Sequence, residues 1–188
     1  MKVVFLDKNG ALVDDFGHPV APCLITLCSG AGAALRLLAR LDYRVVVVSD
    51  QAGMAHGQVD ELAMGPVAHR LSDLLFRERL ELEGFYFCPH DPQGSVARLA
   101  VDCFCRKPQP GLLLKAAIEH EIDLRASWMI GANLHDVEAG NRAGCRTLLI
   151  DNGTETEWRL GPRRVPTRIV PDLYAAALMI ASEEDMRR

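Results

Sequence analysis

Long hydrophobic runs, surplus positive charge and repetitive tracts are all missing from this chain. No stretch approaches the roughly 18 consecutive apolar residues that a membrane-spanning helix needs. The run after Met1-Lys2 is too short for the apolar segment of a signal peptide, so the sequence predicts a cytoplasmic protein. The formal net charge is −4, which supplies no broad basic field to attract nucleic acid or an anionic membrane. Neither partner is expected. Internal repeats, low-complexity segments and interdomain linkers are also lacking, so nothing in the composition divides the chain. Apolar residues at 49% and charged residues at 24% give the balance of an ordinary globular protein. One domain spanning residues 1–188 is expected, burying roughly 70% of the surface that the unfolded chain exposes.

Apolar runs of strand length recur at Val3 to Leu6, Val45 to Val48, Phe85 to Phe87, Trp128 to Ile130, Thr147 to Ile150 and Arg168 to Val170. Helical patterns lie between them. Ala31 to Leu41 follows Ser29 as a cap, Val59 to Leu82 holds one long or two short helices, and Pro110 to His120 starts with proline in a first turn. Pro171 to Met186 closes the chain in the same way. Alternating strands and helices predict an α/β, Rossmann-like three-layer fold, a mostly parallel sheet with helices on both faces. Ligands of such sheets bind at the carboxyl ends of the strands, which places Asp7, Ser49 and a loop from Gly131 to Asp136 on one rim.

Six cysteines could form a disulfide framework. Cys88-Pro89-His90 and Cys103-Phe104-Cys105, however, stand at C-x-H and C-x-C spacings, which in a reducing compartment favour a metal. One imidazole and three thiolates suit a closed, tetrahedral zinc site. With no position left for water, such a zinc would order a loop of about 88–107 and would not catalyse. Cys23, Cys28 and Cys145 are read as small core hydrophobes.

Four segments occur in a telling order: Asp7-Lys8-Asn9-Gly10-Ala11, Ser49-Asp50-Gln51-Ala52-Gly53, Cys105-Arg106-Lys107-Pro108 with Pro110-Gly111, and Gly131 to Gly140. Their order and spacing resemble the haloacid dehalogenase superfamily. Within it the chain is similar to the branch of D,D-heptose 1,7-bisphosphate and histidinol phosphatases, from Val3 to about Ile150. The resemblance implies that Asp7 is a nucleophile forming an aspartyl-phosphate, that Ser49 holds the transferring phosphoryl group, and that Lys107 neutralises charge around it. It also implies that Gln51 and Arg106 contact substrate, Arg106 at a second phosphate or the sugar. Magnesium would sit on Asp7, the backbone carbonyl of Asn9 and acids of the Gly131 to Asp136 segment. His18 and His56 could border the pocket, whereas His69, His120 and His135 read as solvent-facing or structural.

The departures from the pattern are chemical. Asn9 stands where the family has the Asp that protonates the leaving oxygen, and an amide cannot do this; general acid-base assistance is typically worth about 10²- to 10⁴-fold. Ala132 stands where an acid should ligate magnesium, a cation that requires hard oxygen donors. Asp136 and Asn133 remain as substitute donors, and Asp14 or Asp15 could fold back toward position 9. Ala11, Asp50 and His56 also depart, from Thr, Asn and Arg. The expectation is a degenerate phosphatase, a pseudoenzyme with lost or very weak hydrolysis and a retained pocket for a phosphorylated small molecule such as a sugar phosphate. A protein partner remains open. The alternative is an active magnesium-dependent sugar-phosphate phosphatase using substitute ligands.

Overall fold

The computed structural model describes residues 1–14, 21–153, 155, 158–159 and 161–186. Asp15 and His18 lie outside the described residues. Six strands form one sheet: β1 (Val3–Asp7), β2 (Arg44–Asp50), β3 (Leu82–Cys88), β4 (Trp128–Gly131), β5 (Arg146–Ile150) and β6 (Arg168–Val170). Their order across the sheet is β3-β2-β1-β4-β5-β6 and every pairing is parallel. The direction of progression reverses between β1 and β4, the topological switch point at which such sheets open a crevice.

Both faces of the sheet are covered, which is why the central strands read as unbroken apolar runs. In β1, Val4 and Leu6 point into one core while Val3 and Phe5 point into the other. The first core receives α1 (Ala31–Arg40), α2 (Met64–Arg77) and α5 (Leu173–Asp185). In α1 the buried residues Ala31, Ala34, Leu35 and Leu38 fall on one face at helical spacing. The opposite core receives α3 (Gly111–Glu119) and α4 (Leu134–Ala143). No helix among the described residues is long and apolar enough to cross a membrane.

All six strands arise where the apolar runs predict them, most extended by one to three residues. The helix boundaries need correction. Ser29 does not cap α1: Gly30 does, in a left-handed conformation (φ 78°) that glycine adopts without strain, and no side chain contributes. The 59–82 segment becomes a short 3₁₀ turn and α2, which ends because Arg79 takes a positive φ and Leu82 already pairs in β3. Pro110 is the N-cap of α3, one position before the first turn. The predicted loop 131–136 is mostly regular, with Gly131 in β4 and Leu134 opening α4. Of the three cysteines read as core, only Cys145 is buried; Cys28 is half-buried, and Cys23 is exposed on a 3₁₀ turn that buries none of its residues.

Candidate active site

Asp7 is the last residue of β1 and pairs in register with Val48, so Ser49 and Asp50 leave β2 beside it. Leu6 pairs with Ile130, which brings the end of β4 to its other side. These strand ends form a pocket of about 230 Å³ lined by Asp7, Asn9, Gly10, Ser49, Asp50, Lys107, Ala132 and Asn133. Residues far apart in sequence therefore meet on one rim. Gly10 turns the chain back after Asn9 with φ 75°, and its N–H donates to the Val13 carbonyl at 2.9 Å.

Lys107 comes from the segment between β3 and α3, which carries no helix or strand. Its ammonium is buried and donates to Asp7 Oδ1 at 2.6 Å and to Asp136 Oδ1 at 2.5 Å. Its backbone N–H donates to Asp50 Oδ1 at 3.3 Å. Burial works against the Lys107 charge, but Asp136, Asp7 and Asp50 outweigh it and hold the ammonium above the ordinary lysine range. The acids outnumber the cation. Burial, then the Asp136 charge, push Asp7 up to about 6 against the pull of Lys107. Burial likewise raises Asp136 and Asp50.

Asp136 is fully engaged. One oxygen meets Lys107, and the other accepts the Asn133 N–H at 3.2 Å as half of a capping box. Asn133 supplies the other half, its side-chain oxygen accepting from the His135 and Asp136 N–H groups at 3.0 and 3.2 Å. The amide oxygen regarded as a substitute metal donor is thus spent on capping α4. Ala132, only 3% exposed, places a methyl group in the same wall. Asp14 accepts from Thr26 Oγ1 at 3.1 Å and is not part of the pocket lining.

Ser49 accepts a 2.7 Å hydrogen bond from Gln51 Nε2, which leaves the hydroxyl proton free to aim into the pocket. The Gln51 N–H donates to the Cys88 carbonyl at 2.8 Å, tying this wall to the cysteine cluster. Arg106 turns away from the pocket, donating to the His90 carbonyl at 3.0 Å and meeting Asp91 at 3.4 Å. Asp91 also meets His56 at 3.4 Å, so both side chains pack on the 88–107 loop. His69 pairs with Asp73 on the surface, and His120 sits against Tyr86 and Glu83.

Cys88, His90, Cys103 and Cys105 converge, with one ligand atom from each lying within 4.8 Å of all the others. The set could hold a metal ion, and its three sulfurs and one imidazole match zinc's preferences. Cys105 lies two residues before Lys107, and the Arg106 N–H donates to Cys103 Sγ at 3.3 Å. The cluster therefore adjoins the stretch of backbone that delivers the pocket's cation. The pocket residue that sequence reasoning passed over is Asp50, noted only as a departure although it follows Ser49 on the same strand end. The rule that ligands gather at strand ends would have found it.

Comparison with known proteins converges on one family. The HAD-hydrolase-like family model matches residues 104–176. D-glycero-beta-D-manno-heptose-1,7-bisphosphate 7-phosphatase of Escherichia coli (strain K12) is 35% identical over 147 residues, 78% of this chain and 77% of that one. D-glycero-alpha-D-manno-heptose-1,7-bisphosphate 7-phosphatase of Photorhabdus laumondii is 30% identical over 166 residues, 83% of this chain and 86% of that one. The crystal structure of D,D-heptose 1,7-bisphosphate phosphatase from B. bronchiseptica, complexed with magnesium and phosphate, superposes with a TM-score of 0.81 at 27% identity. That match covers 97% of this chain and 99% of the other.

Proposed function

Because the chain belongs to the haloacid dehalogenase superfamily, in its heptose bisphosphate phosphatase branch, we propose that it is a degenerate phosphatase that binds a phosphorylated sugar and hydrolyses it very weakly or not at all. The observation that carries this reading is the engagement of the would-be metal donors. At position 132 there is a buried methyl group, Asn133 caps α4, and Asp136 is held by Lys107 and its own capping box. Magnesium, which takes near-octahedral oxygen coordination, finds the Asn9 carbonyl and Asp7, itself bound to Lys107, while the Asn133 and Asp136 side chains are also engaged in capping α4. The residues present do not fit that ion well.

The remaining groups suit binding. Lys107 supplies a buried positive charge and Ser49 a hydroxyl donor, and both line the 230 Å³ pocket, the kind of groups that hold a phosphate. Asp7 retains the position of a nucleophile, but Asn9 cannot protonate a leaving oxygen. Any residual turnover should favour anomeric or acyl phosphates, whose more acidic leaving groups need the missing proton donor least. Zinc on Cys88, His90, Cys103 and Cys105 would hold the 88–107 loop and, through it, Lys107.

A second reading, a working magnesium-dependent phosphatase, draws on Asp50, a pocket carboxylate that the branch pattern lacks. Phosphate release from a panel of sugar phosphates with magnesium separates the two. Under the proposal the native chain releases little phosphate while the Asn9→Asp plus Ala132→Asp variant turns over. Native turnover at ordinary enzyme rates, about 1 to 10³ per second, sinks it.

A further inference from the structure

A second cleft, of about 630 Å³, lies along the outer face of α4 and is larger than the Asp7 pocket. His135, Glu138 and Arg142 line it from α4, and Arg159, Arg163 and Arg164 from the segment between β5 and β6. His135 stands two residues from Asn133, so the cleft begins on the helix whose N-cap lines the Asp7 pocket. Four arginines face one glutamate, a formal surplus of three positive charges in a chain whose net charge is −4. Such a local reversal of sign draws anions to the cleft.

The arrangement is preorganised. Glu138 is buried, and one of its oxygens accepts from Arg142 Nε and Nη2 at 2.9 and 2.6 Å while the other accepts from Arg164 Nε at 2.7 Å. Burial opposes its charge, yet the hydrogen bonds from Arg164 and Arg142 hold Glu138 below the usual carboxylate range. Both guanidinium planes are thereby oriented, with further N–H donors left on each. The opposite wall is fastened to the helix, since Asn141 Nδ2 donates to the Arg163 and Val165 carbonyls at 2.9 and 3.0 Å. Arg163 is exposed and its guanidinium has no ion-pair partner among the described residues.

We propose that this cleft is a second anion site that takes the phosphate monoester group of a small phosphorylated compound. Guanidinium forks match the geometry of phosphate oxygens, and three of the four arginines hold donors in place before any ligand arrives or stand unpaired at the rim. The inference builds on the reading of the Asp7 pocket as a phosphate site, but the two sites share no residue. The phosphate is either the distal end of a bisphosphate whose other end occupies the Asp7 pocket or part of a separate compound.

Calorimetric titration of the full chain with inorganic phosphate, and separately with D,D-heptose 1,7-bisphosphate, tests it on native protein, Arg163→Glu and Ser49→Ala. A thermal melt verifies that each variant is folded. Two phosphates per chain are expected, with Arg163→Glu weakening one by roughly tenfold or more and Ser49→Ala weakening the other. Bisphosphate affinity falls in Arg163→Glu if one ligand spans both sites, and stays unchanged if the cleft serves a separate compound. A single phosphate sensitive to Arg163→Glu alone supports the cleft and removes the Asp7 pocket as a phosphate site. Phosphate and bisphosphate isotherms unaffected by Arg163→Glu overturn the cleft proposal and leave the pocket reading to stand on Ser49→Ala.

Discussion

Lys107 meets Asp136 at 2.5 Å with almost no exposed surface on either side chain, so the pocket's cation is held from the helix side and from the strand end together. Lys107→Met leaves two buried carboxylates facing one another. Breaking a buried pair from one side typically costs about 3–5 kcal/mol, and a fall of that size is expected in urea unfolding. Adding Asp136→Asn should restore part of the stability by removing the uncompensated charge, while phosphate binding stays lost. Equal stability of native and Lys107→Met chains would show that the ammonium is not the element holding these acids.

Gly131 leaves no room for a side chain. A Cβ there would run into the carboxylate and Cβ of Asp136, whose two oxygens are already bound, one to Lys107 and the other to the Asn133 N–H. Gly131→Ala should destabilise by roughly 1–3 kcal/mol through overpacking and weaken phosphate binding by displacing Lys107's partner. Urea unfolding and phosphate titration of the same variant check both. An unfolding curve matching native would mean that the β4–α4 junction relaxes freely.

The sheet was legible because buried parallel strands must be apolar on both faces, and Val45 to Val48 or Trp128 to Ile130 admit few other readings. The rim followed from topology, and Asp7, Ser49 and, from the 131–136 segment, Ala132 and Asn133 do line one pocket, which Lys107 joins from the segment before α3. Helix boundaries were less legible because they depend on backbone conformation, as at Gly30, where no capping side chain advertises the start. What Asn133 and Asp136 do could not be read in advance, since an amide and a carboxylate serve a metal or a helix cap equally well until the backbone N–H groups are placed. The same holds for Arg106, whose sequence neighbours point to the pocket while its guanidinium lies on the His90 carbonyl.

The cysteine cluster should carry one zinc per chain, and its removal should reach the phosphate pocket. Cys105 and Lys107 are separated by one residue, and the Gln51 N–H leans on the Cys88 carbonyl. Extended chelation or Cys103→Ser is expected to lower the melting temperature and weaken phosphate binding together, because metal binding and ordering of the loop are one equilibrium. Metal analysis of the purified chain, melting curves and phosphate titration check this. Loss of the metal with unchanged phosphate affinity would separate the loop from the site.

The last expectation concerns pH. Glu184 near the end of α5 accepts from the Tyr43 hydroxyl at 2.7 Å and pairs with Lys2 at 3.2 Å, joining the last helix to the segment before β2 and to the start of β1. The Tyr43 hydrogen bond, against burial and with help from Lys2, holds Glu184 below its ordinary value of 4.5. Burial, then the bond to Glu184, push the Tyr43 phenol up to about 12 from 10. A depressed acid contributes stability that is complete above its unfolded value of 4.5 and is lost as pH falls through the lower folded value. A raised phenol contributes stability that is complete below 10 and is lost as pH rises toward 12. The pair therefore stabilises over a plateau between these limits. Glu184→Gln keeps an acceptor for Tyr43 but removes the charge, and should cost about 1 kcal/mol at pH 7, the surplus of a charged over a neutral hydrogen bond at a part-exposed position. In urea unfolding the gap between native and variant should narrow at pH 3. A gap of the same size at pH 3 and pH 7 would mean that Glu184 stabilises through packing and not through its charge.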